Sequence, residues 1–236
     1  MTILSTRGLT RRFAGLTAVD HVDFDLAQGE IRALIGPNGA GKTTFVGLLC
    51  GRLPPSEGRV TFEGRDITAL PAHARIRLGM AYTFQITSIF GRLSVAENVA
   101  LAARRVSDHP AHVERETAAA LDRVGLADRQ EQEAGDLSYG HQRLLEIAMG
   151  LAQTPRLLIL DEPTQGLSDS EIAQFKALVR ALKQEATILL IEHNMNVVME
   201  TADRVTVMNF GAVLAEGTPQ EVRADTHVQA AYLGTG

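Results

Sequence analysis

The stretch that most constrains the fold of this chain is Gly36-Pro37-Asn38-Gly39-Ala40-Gly41-Lys42-Thr43-Thr44. It fits the pattern G-x-x-x-x-G-K-[ST], in which glycines let the backbone curl around a polyphosphate with its N–H groups pointing inward. In this pattern the lysine reaches the outer phosphates and the next hydroxyl holds a Mg²⁺ ion. The sequence therefore predicts a phosphate-binding loop in which Lys42 and Thr43 have these roles.

The segments on either side of the loop support this prediction. Residues 31–35 are apolar and partly β-branched, which is typical of a buried strand, and residues 44–50 are typical of a helix that Gly51 ends. A strand that enters a helix through a glycine loop places the positive helix end, about half a unit charge, at the phosphates. The alternative is a glycine-rich β–α turn with a surface lysine, and the two matching flanks favour the phosphate loop over it.

Composition narrows the class of protein. A chain of 236 residues with 45% hydrophobic and 22% charged residues is ordinary for a soluble globular protein with one large domain, or with a domain and a subdomain. The net charge of −5 argues against general nucleic-acid binding. A single cysteine, Cys50, excludes an intrachain disulfide and fits a reducing compartment. No apolar run approaches the roughly 18 residues that span a bilayer, and no signal peptide is visible, so we expect any membrane role to depend on a partner.

Hydrophobic patterns predict an α/β chain interrupted by a helical segment. Alternation in residues 22–26 predicts a half-buried antiparallel strand, paired with a strand at 3–9 across a short loop, Arg11 to Gly15, that contains Phe13. Further strands are predicted at 59–62, 80–84, 156–161, 187–191, 204–209 and 212–216. Helices are predicted at 71–77, from Ser94 to about 105, at 111–125, 141–153 and 168–183, after 191, and from Thr218 to the end, with a loop at 131–136.

A carboxylate pair ends the most apolar of these strands. Asp161 and Glu162 directly follow the run Leu157–Leu160. At the carboxyl edge of a parallel strand, Asp161 can hold the Mg²⁺ ion, directly or through water, and Glu162 can polarise the attacking water. The alternative is a solvated turn, which is the usual meaning of such a pair in isolation. In a chain with a phosphate loop, the metal and base roles are favoured.

The segment Leu137-Ser138-Tyr139-Gly140-His141-Gln142 is similar to the signature sequence of ABC transporter ATP-binding subunits. With the phosphate loop and the Asp161–Glu162 strand, the resemblance covers nearly the whole chain. Tyr139 stands where glycine is usual and His141 where glutamine is usual. Ser138 and Gly140 remain, and a hydroxyl, a bare backbone and a helix N-terminus can together bind a γ-phosphate. Ser138 also fits a helix N-cap, and we expect both roles to hold.

The resemblance implies roles for further residues. Gln85 matches the glutamine that senses Mg²⁺ and the γ-phosphate, and His193 matches the switch histidine that holds the γ-phosphate and the catalytic water. Phe13, which from spacing alone would be a core or edge aromatic, matches the ring that stacks on adenine. Gly166-Leu167-Ser168-Asp169 matches the loop that crosses the interface of the dimer.

Family membership would also imply an architecture and a set of partners. The fold class is α/β, a P-loop ATPase core with an antiparallel β subdomain and an inserted α-helical subdomain. A single domain, 1–236, would comprise a core of 1–85 and 154–236 and a helical subdomain of 86–153. Two ATP-binding subunits, identical or related, would pack head to tail, so that each ATP lies between one Lys42 loop and the other subunit's signature. Residues 85–99 would contact integral-membrane permease subunits at the cytoplasmic face of the inner membrane.

The most specific resemblance is to the ATP-binding subunits of branched-chain amino-acid importers, which also work with a periplasmic solute-binding protein. It depends on the segments Tyr82–Gln85, Leu137–Gly140, Glu192–Met195 and Ala231–Gly234. Importers of urea and short amides share these features, and residues 70–75 and 88–90 also resemble the lipopolysaccharide-export ATPase. A soluble ABC ATPase of translation or DNA repair, and a catalytically silent nucleotide-binding module, are alternatives of other classes. The single domain and the intact site residues argue against them.

Overall fold

The computed structural model describes residues 1–83 and 88–233. The strands are β1 Thr2–Phe13, β2 Leu16–Ala27, β3 Ile31–Ile35, β4 Glu57–Phe62, β5 Arg65–Asp66, β6 Met80–Thr83, β7 Leu157–Asp161, β8 Thr187–Ile191, β9 Arg204–Asn209 and β10 Ala212–Gly217. The α-helices are α1 Lys42–Leu49, α2 Ala72–Arg77, α3 Val95–Ala103, α4 Pro110–Arg123, α5 Tyr139–Leu151, α6 Asp169–Leu182, α7 Met195–Thr201, α8 Pro219–Ala224 and α9 Thr226–Leu233.

These elements form two compact units. The first unit contains Met1–Arg75 and Thr187–Gly236, and the second contains Ile76–Ala186. The first unit therefore carries the phosphate loop and His193, whereas the second carries Asp161, Glu162 and the signature segment. Gln85 and Phe84, the end of a predicted strand, lie outside the described residues.

The first unit is built from two groups of strands. β2, β1, β4 and β5 are neighbours in an antiparallel sheet, and β10, β9, β3 and β8 follow one another in a second group. β3 is parallel to both β8 and β9, and every residue of β3 and β8 is buried. This burial explains why both strands are mainly apolar rather than alternating, since a parallel strand covered on both faces has no polar side. The exception is Arg32 of β3, whose buried guanidinium is paired with Glu30 (2.6 Å).

Two predictions in the first unit are wrong in detail. The predicted loop at 11–15 is only a turn at Ala14 and Gly15, because β1 pairs with β2 as far as Phe13 opposite Leu16. Register shifts along this pair break the apolar alternation, so the sequence pattern ends before the backbone pairing does.

The predicted terminal helix is two helices, α8 and α9. They are separated at Asp225, whose carboxylate accepts hydrogen bonds from the backbone N–H groups of His227 (2.7 Å) and Val228 (3.1 Å). A side chain that satisfies the first N–H groups of a helix favours a helix start at that residue.

The second unit combines a parallel strand pair with a group of helices. β6 is parallel to β7, and helices α3, α4 and α5 contact one another. The predicted capping box is present at α3, since Ser94 accepts from Glu97 N–H (3.1 Å) and Glu97 accepts from Ser94 N–H (2.7 Å). The predicted loop at 131–136 contains a short 3-10 turn at Ala134–Asp136. The predicted limits of the helical subdomain, 86–153, stay a prediction.

Candidate functional site

The phosphate loop connects β3 to α1, as predicted. Gly36 has a φ of +150° and Gly41 a φ of +99°, and each packs tightly against another backbone segment. A Cβ at Gly36 would lie 2.2 Å from the carbonyl oxygen of Met208, and a Cβ at Gly41 would lie 2.3 Å from that of Ala18. Both positions therefore require glycine for two reasons: the positive φ disfavours other residues, and a Cβ atom would clash with the neighbouring backbone.

Lys42, the first residue of α1, folds back over the loop. Its ammonium group donates to the carbonyl oxygens of Gly36 (2.7 Å) and Pro37 (3.0 Å), and the residue is 7% exposed. A buried cation beside the N-terminus of a helix adds its charge to the positive end of the helix dipole. Thr43, the next residue, is exposed. This chemistry fits a polyphosphate with a hydroxyl at hand for a hard cation.

His193 lies at the same sheet edge as the loop. β8 ends beside β3 with Ile191 opposite Leu34, so the turn after β8 and the loop after β3 follow neighbouring parallel strands. The buried carboxylate of Glu192 accepts from the backbone N–H groups of His193 (2.9 Å) and Asn194 (3.0 Å), which fixes this turn. The His193 residue itself is exposed. Strand ends at one edge of an α/β sheet are where such folds bind ligands.

Phe13 ends β1 and is 39% exposed. The guanidinium of Arg11 lies 4.5 Å from the centroid of its ring, a cation–π distance, and also donates to the carbonyl oxygen of Pro54 (2.9 Å). The ring is thus held in a stacked arrangement at the surface of the hairpin. Its predicted role in adenine stacking stays a prediction.

Two residues that the sequence reasoning did not single out hold the loop and its helix. The first is Arg75, which is buried and donates to the carbonyl oxygens of Leu48 (2.8 Å) and Leu49 (2.6 Å) at the end of α1. Burial lowers the pKa of this guanidinium. A cation at a helix C-terminus satisfies its last carbonyl groups and interacts favourably with the dipole. Nothing in the local sequence around Arg75 points to α1.

The second is Tyr232 on α9. Burial raises the pKa of its hydroxyl, while a hydrogen bond from the backbone N–H of Gly36 acts in the opposite direction. The same helix places Val228 in the apolar cluster that contains Ala33 and Ile35 of β3. α9 is therefore anchored beside the strand that leads into the phosphate loop. The sequence pointed to the segment around Tyr232 only as a family resemblance.

In the second unit, Asp161 is the last residue of β7 and is 3% exposed. Its Oδ2 atom accepts a hydrogen bond from the hydroxyl of Tyr82 on β6 (2.6 Å). Tyr82 thereby fixes the orientation of the carboxylate predicted to act at the metal. Parallel pairing of β6 with β7, Tyr82 opposite Ile159, brings the two side chains to the same end of both strands.

Glu162, the predicted base, has a φ of +49°. A non-glycine residue in this left-handed region costs about 1–2 kcal/mol, and such strain persists only where the surroundings impose it. The residue is partly buried. A strained carboxylate directly after a buried strand is consistent with a functional position.

The signature segment forms the start of α5. Ser138 is the N-cap, since its Oγ atom accepts from the backbone N–H of His141 (3.3 Å). The imidazole Nδ1 of His141 lies 2.9 Å from the same Oγ atom, so the unusual residue at this position contacts the signature serine. A Cβ at Gly140 would lie 1.9 Å from the carboxylate of Glu171, which closes the capping box of α6 with Ser168. Gly140 therefore leaves room for the Glu171 side chain where α5 begins beside α6.

Tyr139 links the signature to the loop at 166–169. A Cβ at Gly166 would lie 2.9 Å from the Cε1 atom of the Tyr139 ring, so the ring lies against that glycine. The two segments predicted to face a second subunit are thus adjacent within this unit.

A groove of about 370 Å³ opens in the second unit. Its lining combines apolar and polar side chains: Tyr82, Ser88, Phe90, Leu101, Ala102, Arg105, Glu146, Met149, Gly150 and Gln153. Phe90 is 58% exposed, which is unusual for a large aromatic residue. Glu146 is buried, and burial raises its pKa although Ser88 N–H and Arg143 both stabilise the charged form.

Within residues 1–83 and 88–233, no group of three or more His, Cys, Asp or Glu side chains could hold a metal ion. A Mg²⁺ ion bound with a nucleotide needs only one or two protein oxygens, because phosphates and water supply the rest, so Thr43 and Asp161 suit it chemically. Among the helices described, none is long and apolar enough to cross a membrane.

Two protein-family models match parts of the chain. A family model described as ABC transporter matches residues 19–165, more than half of the chain. A second model, described as branched-chain amino acid ATP-binding cassette transporter, matches residues 212–236. The second match covers β10, α8 and α9, the part of the chain that includes Tyr232.

Individual relatives match over almost their whole length. The chain is 40% identical to the high-affinity branched-chain amino acid transport ATP-binding protein BraF of Pseudomonas aeruginosa, with 98% of each chain covered. It is 33% identical to the lipopolysaccharide export system ATP-binding protein LptB of Escherichia coli, over 99% of this chain and 98% of that protein. Its structure is similar to the ADP conformation of MJ1267, an ATP-binding cassette of an ABC transporter, with a TM-score of 0.91, 29% identity and 99% of each chain covered.

Proposed function

The chain belongs to the ABC transporter family of ATP-binding subunits, and we propose that it powers amino-acid import. The solutes are branched-chain or other hydrophobic amino acids, and they cross the bacterial inner membrane. The observation that carries the solute class is the match to a branched-chain amino-acid transporter model at residues 212–236, together with 40% identity to BraF. ATP hydrolysis coupled to transport is the activity of the family.

Nucleotide binding is assigned to the first unit. The loop 36–44 receives the phosphates: its backbone N–H groups face them, and Lys42, already folded over the loop, binds the outer phosphates. Charge attraction to phosphate is stronger than the two bonds from Lys42 to carbonyl oxygens, so the ammonium can exchange them for the ligand. Phe13 stacks on the adenine.

Mg²⁺ would be held by Thr43, Asp161 and Gln85, and would neutralise charge on the phosphates during transfer. Tyr82 orients Asp161 for this role, which the 2.6 Å hydrogen bond supports. Glu162 takes the proton of the attacking water, and His193 holds that water and the γ-phosphate. The turn fixed by Glu192 supports the position of His193.

A second ATP-binding subunit, identical or related, completes each site. Its Ser138 and Gly140, at the N-terminus of α5, bind the γ-phosphate from the other side. The adjacency of the signature to Gly166 within one unit supports this arrangement, because both segments are assigned to the same interface. An isolated monomer is expected to be a poor ATPase.

The groove of the second unit is assigned to the permease subunits. A helical segment of a permease suits it, because Phe90 and Leu101 offer exposed apolar surface beside the polar groups of Arg105 and Gln153. This contact would hold the chain peripherally at the cytoplasmic face of the membrane. A periplasmic solute-binding protein would deliver the solute to the permeases.

The catalytic assignment is tested by Glu162→Gln. Loss of the general base should lower ATPase turnover by about 10²–10⁴-fold while ATP binding is retained. ATP should then produce a stable dimer on gel filtration, because the closed state no longer decays. The matched control is Glu185→Gln, the same change at an exposed carboxylate in the same unit. Full activity of Glu162→Gln would remove this residue from the role of base.

The solute is tested by uptake in cells that lack the gene. Loss of labelled leucine uptake, restored by the wild-type gene but not by Glu162→Gln, is the expected result. Loss of urea or acetamide uptake with intact leucine uptake would assign the related amide importers instead. A defect in lipopolysaccharide at the cell surface would favour the alternative of lipopolysaccharide export. This alternative is tested because the chain is 33% identical to LptB.

A further inference from the structure

A buried arginine connects the signature segment to the groove. Arg143 is 4% exposed and lies on α5, one turn after Tyr139 and one turn before Glu146. One of its terminal nitrogens donates to the Tyr139 hydroxyl (3.0 Å) and the other donates to Oε2 of Glu146 (2.9 Å). We call these three residues the Arg143 bridge.

Each end of the bridge touches a surface assigned to a different partner. Tyr139 stands between Ser138 and Gly140, and its ring lies against Gly166. Glu146 lines the groove, where its Oε1 atom accepts a hydrogen bond of 2.6 Å from the backbone N–H of Ser88. Besides the backbone of α5, side-chain hydrogen bonds, one of them within an ion pair, therefore join the signature to the groove wall.

The energetics of the bridge make it a stiff connection. Glu146 is 6% exposed, and a buried charge that loses its partner is costly, so Glu146 and Arg143 must move together. The guanidinium is planar with donors in fixed directions, so a displacement of Glu146 changes the direction of the bond to Tyr139. A glycine at position 139, the usual residue of the signature, would offer no acceptor to Arg143.

We propose that Arg143 is a positioning residue that transmits occupation of the groove to the signature. A permease segment that displaces Ser88 or Glu146 would shift Tyr139, and with it Ser138 and Gly140 at the γ-phosphate. This proposal rests on the proposed function, which assigns the groove to the permease. Because coupling between two binding sites is reciprocal, closure of the signature on ATP also changes the affinity for the permease.

The test compares ATPase rates of the isolated subunit and of its complex with the permeases in lipid nanodiscs. The ratio of these rates is the stimulation. Tyr139→Phe removes only the hydroxyl that accepts from Arg143, and Glu146→Gln removes the charge at the other end. Each is expected to lower the stimulation by about three- to tenfold, the net worth of about one hydrogen bond. The double variant should lose no more than either single one, since both break the same bridge.

Controls separate this effect from folding. Arg123→Met breaks an exposed ion pair with Glu185 in the same unit (2.9 Å) and should keep the wild-type stimulation. Thermal melting and co-purification with the permeases report whether each variant is folded and assembled. Tyr139→Phe leaves the Arg143–Glu146 ion pair in place, so it remains informative if Glu146→Gln unfolds.

The outcomes distinguish a failure of the Arg143 bridge from a failure of the function proposed for the groove. The Arg143 bridge is rejected if Tyr139→Phe is stimulated like the wild type, or if the loss of stimulation in the double variant is the product of the two single losses. Either result leaves the function proposed for the groove in place. Phe90→Asp, a charge on the exposed aromatic of the groove, should abolish co-purification with the permeases. If that variant is stimulated like the wild type, the groove is not the permease site, and the proposed function of the groove and the bridge fail together.

Discussion

The hydroxyl of Tyr232 connects α9 to the first glycine of the phosphate loop. Its partner is the backbone N–H of Gly36, a residue already confined by the carbonyl oxygen of Met208. A loop held at its first residue before the ligand arrives needs less ordering when it binds, which raises affinity. Helix α9 thus supports the loop that is proposed to bind the nucleotide.

Tyr232→Phe should therefore weaken ATP binding to the isolated subunit. The ring and its packing are kept, so only one hydrogen bond is lost, and we expect an increase in Kd of about two- to tenfold. Isothermal titration calorimetry with ATP measures it. His227→Ala, an exposed position on the same helix, is the control and should bind ATP as the wild type does. Equal affinities in Tyr232→Phe and wild type would show that the hydroxyl does not prepare the loop.

Helix α1 is held at both of its ends, and this explains how a short element can carry the loop. Its N-terminus is the loop itself, and its last carbonyl oxygens at Leu48 and Leu49 accept from Arg75. Phe45 of the same helix meets Phe24 of β2 edge to face, with ring centroids 5.6 Å apart. Gly51 leaves room for this arrangement, because a Cβ there would lie 2.7 Å from Nε of Arg75.

Arg75→Met should destabilise the protein by about 2 kcal/mol, because the carbonyl oxygens of α1 lose charge-assisted partners that methionine cannot replace. Urea unfolding followed by circular dichroism measures the free energy of unfolding. The comparison is Arg77→Met, an exposed residue of the same helix, for which a change within about 0.5 kcal/mol is expected. A stability of Arg75→Met equal to that of Arg77→Met would mean that α1 does not depend on this contact.

At the scale of the whole molecule, the assigned roles divide between the two units. The loop, His193, Phe13 and Tyr232, assigned to the nucleotide, belong to the first unit. The signature and the groove, assigned to partner subunits, belong to the second, as do Asp161 and Glu162, assigned to the metal and to hydrolysis. This division suits a protein that binds ATP by itself but depends on other chains for turnover and coupling.

Ser138→Arg tests that division. Arginine at the start of α5 blocks the surface offered to the other subunit's ATP, so ATPase activity should fall by at least about 10²-fold, since such a contribution in trans is worth about 10³–10⁵ in rate. The affinity of the monomer for ATP, measured by calorimetry, should stay nearly unchanged. A strong loss of monomer affinity would contradict a site shared between two subunits.

The sequence predicted most elements because their signals are local. β3, β7 and β8 are mainly apolar runs, apart from Arg32 and the terminal Asp161. The capping boxes at Ser94, Ser168 and Thr218 are present as predicted. Patterns of this kind depend on residues a few positions apart, so a single sequence contains them. The hairpin of β1 and β2 was predicted with too long a loop, because pairing continues towards Ala14 through polar residues that carry no apolar alternation.

The sequence contains a spacing pattern that indicates the Arg143 bridge, although the bridge was not predicted from it. Tyr139, Arg143 and Glu146 are spaced by four and three residues on one helix, the spacing at which side chains meet. Only the burial of the pair revealed that this spacing carries a connection and not a solvated helix face. The contacts of Arg75 with α1 and of Tyr232 with Gly36 join residues far apart along the chain, so no helical spacing indicates them.

The sequence by itself therefore determined the phosphate loop, its flanking strand and helix, the carboxylates after β7 and the signature at the start of α5, because each is a contiguous motif whose chemistry depends on near neighbours. The tertiary structure alone decided which distant residues hold those motifs in place: Arg75 at the end of α1, Tyr232 at Gly36, and Tyr82 at Asp161. Contacts of that kind depend on how strands pair and helices pack, and residues far apart along the chain carry no shared pattern that predicts them.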